Sequence, residues 1–83
     1  TPTAADIVGA IPNAYAGSSF EFTIRNTADA AETITLNADT GVTLSPATIE
    51  IAQNYSKTFL VVCTNVGSGS EAVTIYSLHY SEF

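Results

Sequence analysis

A chain of 83 residues that is 46% hydrophobic and 12% charged makes one domain with one core, too apolar for disorder and too small to rest securely on burial alone. Cys63 is its only cysteine and His79 its only histidine, which excludes an internal disulfide and a Cys/His metal cluster and leaves packing or partners as reinforcement. Two cations, Arg25 and Lys57, against eight acids give a net charge of −6, so the surface cannot neutralise a nucleic-acid backbone or an anionic membrane. No apolar run has the length of a transmembrane helix. The sequence begins without methionine or a signal-peptide pattern, the form expected of a processed product or an excerpt of a longer chain.

Residues 1–12 hold the one helix candidate. Thr1-Pro2 offers an N-cap followed by an N1 proline, and Thr3 with Asp6 offers a second capping pair. Ala4, Ile7, Val8 and Ile11 share a face at helical spacing, and Pro12 stops the helix. Two turns are marginal alone, so the segment is expected to act as a lid on a sheet. Residues 13–19 read as a loop.

From Phe20 onward the pattern has period two. Phe20, Phe22 and Ile24 alternate with Glu21, Thr23 and Arg25, and the same alternation recurs in Thr33–Leu36, Val42–Leu44 and Thr48–Ile51. Turn residues lie between them at Asn26–Ala31, Asp39-Thr40-Gly41, Ser45-Pro46 and Gln53-Asn54. Short strands at this spacing predict an all-β fold, a small antiparallel β-sandwich or partly open barrel of about six strands with one short N-terminal helix.

A displacement of 39 residues lays Phe20 on Phe59, Asn26 on Asn65, Glu32 on Glu71 and Thr35 on Thr74. The repeat predicts two similar hairpins, residues 19–38 and 58–80, within the single domain 1–83. The second copy is apolar on both faces: Phe59, Val61 and Cys63 continue the buried side, while Leu60 and Val62 make the other side apolar too. In the last strand Val73 and Ile75 face one way and Tyr76, Leu78 and Tyr80 the other. A strand apolar on both faces is covered twice or lies at an interface, so Leu60, Val62, Tyr76, Leu78 and Tyr80 are the expected oligomer surface, covered by the helix, a second copy, or both.

Chemistry-bearing residues are sparse. Cys63 and His79 are the only nucleophile–base pair, both at in-facing phase, where a thiol is packing. Glu21 and Glu50 fall at outward phase, where acids are solvated. Glu32 and Glu71 occupy matched positions that suit hydrogen bonds to turn amides. Asn37, Asp39 and Thr40 read as turn residues rather than a calcium loop, lacking its acidic spacing. Asn54-Tyr55-Ser56 is a formal glycosylation sequon in a turn. Gly67-Ser68-Gly69 precedes no helix and so is no phosphate cradle. The residues point to no enzyme, no metal and no cofactor.

The phrases Ala5–Pro12, Phe20–Thr27, Gly41–Ser45 and Ser70–Leu78, in this order over nearly the whole chain, resemble small β-domains of structural proteins of tailed bacteriophages. Those domains are capsid decoration (cement) proteins or modules at the ends of fibre-like or head-surface proteins. The resemblance implies a virion-surface location, many copies, trimeric or similar symmetric contacts, and a major capsid protein as partner. It carries over no active-site residue. Two other readings stand beside it. One is a carbohydrate- or receptor-binding module whose loop tyrosines, Tyr15 and Tyr55, stack on sugar rings. The other is a filament or surface-layer subunit that pairs through an uncharged edge strand such as Gly41–Ser45.

Overall fold

The computed structural model describes residues 1–83. It contains one helix, α1 (Ala4–Ala10), and six strands: β1 (Ser19–Arg25), β2 (Ile34–Leu36), β3 (Val42–Ser45), β4 (Ile49–Ile51), β5 (Tyr55–Asn65) and β6 (Ala72–Glu82). The strands form a four-stranded sheet in the order β1-β5-β6-β3 and a two-stranded sheet, β2-β4. The expected β-sandwich with a short N-terminal helix is therefore present, and it is not a closed barrel. All pairings are antiparallel except β3 with β6, which run parallel.

That parallel pair follows from the path of the chain. Between β1 and β5 the chain alternates between the two sheets, so β3 enters the large sheet from the end where β6 also begins. Gly41 sets the entry. Its φ of +80° turns the chain into β3, and its carbonyl accepts from Val73 N–H at 3.0 Å. A Cβ there would lie 2.7 Å from both Ala4 Cβ and Glu71 O, so the helix, β3 and β6 converge where only glycine fits.

Of the two capping options, Thr3 is the one used. Its Oγ1 accepts from Asp6 N–H at 3.2 Å, and Ala4 N–H donates to Thr40 O at 2.9 Å, tying the helix to the turn before β3. Ala4 and Ile7 are buried, with Val8 and Ile11 packed at their margin.

The two-hairpin expectation is corrected. Residues 58–80 belong to the β5–β6 hairpin, but β1 and β2 in 19–38 do not pair: β1 bonds to β5 and β2 to β4. Both copies begin alike, since Asn26 Oδ1 accepts from Ala28 N–H and Asn65 Oδ1 from Gly67 N–H, each two residues on. They then diverge. In the second copy Ser70 N–H bonds back to Gly67 O and Gly69 adopts φ +80°, returning the chain as β6. In the first, buried Asn26 donates from Nδ2 to Glu32 O and Ile51 O, both at 2.9 Å. The chain is thereby drawn across to β4 and the second sheet.

The core lies between the layers. Ile49 and Ile51 from the small sheet and Ala4 and Ile7 from the helix meet Val42, Phe59, Val61, Cys63, Val73 and Ile75 of the large sheet. The Phe22 and Phe59 rings stack at 5.0 Å beside them. Only 11 of 83 residues are buried, in a body of 42 × 20 × 18 Å, so single contacts weigh heavily against a total stability of roughly 5–15 kcal/mol.

Two consequences are measurable by urea unfolding. Asn26→Ala strands one buried carbonyl, one part-buried carbonyl and a turn amide and is expected to cost about 3 kcal/mol, with Asn26→Asp at least as damaging because it loses both donations. Gly41→Ala is expected to cost about 3 kcal/mol from clash and backbone strain, whereas Gly69→Ala, with the same φ but open space, costs about 1 kcal/mol.

Candidate functional site

Which side of the large sheet is covered decides what it can contact. The helix and the small sheet both lie on the face that carries Phe59, Val61, Cys63, Val73 and Ile75. Of the alternatives for the second apolar face, cover by the helix is thus not the one adopted: Ala4 and Ile7 pack on the opposite, core side, and the second face is left open.

Register defines that open face. Leu60 lies between Glu21 of β1 and Tyr76 of β6, with Ser45 of β3 beyond Tyr76. Val62 lies between Ser19 and Thr74, with Thr43 beyond. Thr58 lies between Thr23 and His79, its Oγ1 hydrogen-bonded to Thr23 Oγ1 at 2.9 Å. The result is a short apolar stripe, Leu60, Val62 and Tyr76, in a field of threonine and serine. Leu60 and Val62 are half-buried by their neighbours and Tyr76 is 40% exposed.

The expected surface of five residues is divided by a β-bulge. Phe59 pairs with Ser77 but Thr58 with His79, so Leu78 is an extra residue in β6 and the alternation reverses beyond it. Tyr80 therefore moves to the inner side, opposite Lys57, and does not join Leu60, Val62 and Tyr76. Its ring stacks on Tyr55 at 4.5 Å and 7°, its hydroxyl accepts from Ala52 N–H at 3.3 Å, and Lys57 Nζ sits 4.6 Å over it. Leu78 itself is exposed at the bulge. Tyr76, Leu78 and Tyr80 alternate with Ser77 and His79, so the residues alone place all three on one face, and a one-residue bulge leaves no mark in that alternation.

The bulge also corrects His79, expected in-facing, to the outer face. Cys63 is fully buried on the inner side, so the two cannot act together. The tyrosines separate as well. Tyr15 is exposed in the loop before β1, near the Cys63 end of the sheet. Tyr55, expected in a loop, opens β5 at the other end, with one ring face taken by Tyr80. Nine residues of extended chain put the two rings on the order of 30 Å apart, too far to share a small glycan.

Among the acids, Glu21 and Glu50 stand on different sheets. Glu32 and Glu71 take no side-chain hydrogen bond from turn amides; what Glu32 contributes is its carbonyl, to Asn26. Asn37, Asp39 and Thr40 behave as turn residues, with Asp39 Oδ1 accepting from Thr40 N–H at 2.6 Å and Asp39 N–H donating to Thr1 Oγ1. No three His, Cys, Asp or Glu side chains converge on one point.

No family model, curated protein or solved structure matches this chain. The molecule presents two apolar surfaces: the open stripe on the outer face, and a groove on the inner side. That groove, about 550 Å³, runs between α1 and the start of β1 and is lined by Pro2, Ile7, Ile11 and Phe20 among others. A thiol reagent is expected to leave Cys63 unmodified in the native protein and to label it fully in denaturant; fast labelling of the native protein would contradict its placement in the core.

Proposed function

We propose that this chain is a non-catalytic structural protein of a virus particle, decorating or cementing a phage capsid surface in many copies. The observation that carries the reading is the uncovered stripe Leu60, Val62 and Tyr76 on two adjacent strands, β5 and β6, whose other face is the core. A domain this small gains stability when such a face is covered by a neighbour. The resemblance of Ala5–Pro12, Phe20–Thr27, Gly41–Ser45 and Ser70–Leu78 to tailed-phage surface domains supplies the identity of the neighbours: copies of the chain and a major capsid protein. The threonine- and serine-rich surround suits a wet, tightly apposed contact of low charge.

The glycan-binding reading now rests on Tyr15 alone, since Tyr55 is engaged by Tyr80. In co-sedimentation with a panel of purified tailed-phage capsids, the wild-type chain and Thr35→Asp are expected to be retained, and Val62→Asp and Tyr76→Asp lost. Equal behaviour of all three variants would sink the face assignment. A glycan-array signal abolished by Tyr15→Ala, with no capsid retention, would replace the proposal with the second reading.

A further inference from the structure

β1 ends the large sheet, and no strand of the chain pairs with its outer edge. Its hydrogen-bonding phase is known at both ends. Asn26 N–H donates to Tyr55 O and Ser18 O accepts from Cys63 N–H, so even-numbered residues bond toward β5. The register between them is unbroken. Backbone groups of Ser19, Glu21, Thr23 and Arg25 therefore point to the open edge, where they form a template for another strand.

Natural edge strands are often protected by charge, and β1 carries two charges, Glu21 and Arg25, on its outer face. They are of opposite sign and equidistant from Thr23. A two-fold axis through Thr23, normal to the sheet, sets Thr23 against its own copy. It also sets Glu21 against Arg25 of a second molecule, and Arg25 against its Glu21. The pairing falls in the correct phase, because all three residues present free N–H and C=O groups; about six inter-chain backbone hydrogen bonds follow. Centring the axis on Glu21 or Arg25 instead opposes like charges, and centring it on Phe22 or Ile24 matches neither pair. Within the chain Arg25 has no carboxylate partner; its guanidinium lies 3.8 Å over the Phe83 ring, leaving its donors to a neighbour.

The inner face agrees. The same axis lays Phe22 against Ile24 of the other copy and brings Phe20, 41% exposed, to the joint. The layers are open on this side, where a second groove of about 240 Å³ passes between Ile7, Phe20, Phe22 and Leu36. The far edge offers no such match, since β3 is four uncharged residues ended by Pro46.

We propose that β1 is a self-complementary edge that joins two copies of this chain antiparallel about Thr23, making one continuous eight-stranded sheet. This deepens the assembly reading, on which it rests for its biological setting, by naming the partner and the register. Both Leu60/Val62/Tyr76 stripes then lie on one side of the dimer, free for a third body.

Light scattering coupled to size exclusion tests it over a concentration range. The wild-type chain is expected at twice its 8.7 kDa mass. Glu21→Arg and Arg25→Glu each replace two attractions with two repulsions and are expected to weaken the dimer about tenfold or more. Each variant should stay folded by circular dichroism. Mixed in equal amounts, the two variants should recover the dimer, because one supplies two cations and the other two anions at the matched positions. Glu50→Arg, the same charge change on β4, should leave the mass unchanged. A wild-type monomer at millimolar concentration, or a mixture that fails to recover the dimer, overturns the edge contact. A dimer lost in Val62→Asp but kept in Glu21→Arg overturns it too, while leaving the capsid-surface reading standing; loss of capsid retention with the dimer intact does the reverse.

Discussion

The side chain and backbone of Asn26 tie the end of β1 to the turn after it, to β4 and to the start of β5. Its N–H and C=O close the end of the β1–β5 ladder on Tyr55 and Asn54, its Nδ2 reaches Glu32 and Ile51, and its Oδ1 holds the turn at Ala28. Each of these groups is buried or nearly so, and a buried polar group is costly unless satisfied. Satisfying all of them at once admits one chain path, in which the segment after β1 crosses to the second layer. There β2 pairs with β4, and the small sheet together with the helix covers the inner face of β5 and β6.

From that constraint follows an asymmetric molecule. Helix and small sheet crowd onto one side of the large sheet, where Phe59, Val61, Cys63, Val73 and Ile75 offer the greater apolar area. The other side keeps Leu60, Val62 and Tyr76 in the open, diluted by threonine. A layer covered on one side and apolar on both is stable as a component rather than as a finished surface. The bulge at Leu78 refines this division. By reversing the phase of β6 it sends Tyr80 inward to stack on Tyr55, anchoring the far end of the long hairpin and narrowing the exposed stripe.

The two free surfaces differ in kind. The outer stripe is apolar and non-directional, suited to being pressed against a surface. The β1 edge is directional, with fixed backbone donors and acceptors and a charge order that reads the same from either end. A strand edge defines register and a stripe defines area, and a protein arrayed in many copies has use for both.

Much of this was determined by the residues in order. The period-two alternation placed β1 to β4, the two long apolar stretches placed β5 and β6, and Pro12 ended a helix for which two capping options stood open. These are local properties, fixed by a few neighbouring residues and the geometry of one turn or one pleat. Partner choice was not local. The 39-residue repeat correctly matched Asn26 with Asn65 as turn formers, yet only tertiary structure sent one chain across the layers and returned the other as a hairpin. That difference lies in the Nδ2 bonds to Glu32 and Ile51, the latter 25 residues away. The face of Tyr80 was likewise decided by a single inserted residue, Leu78, in a stretch whose unbroken alternation points Tyr80 the other way. The open β1 edge emerged only when β5 was seen to take its other side.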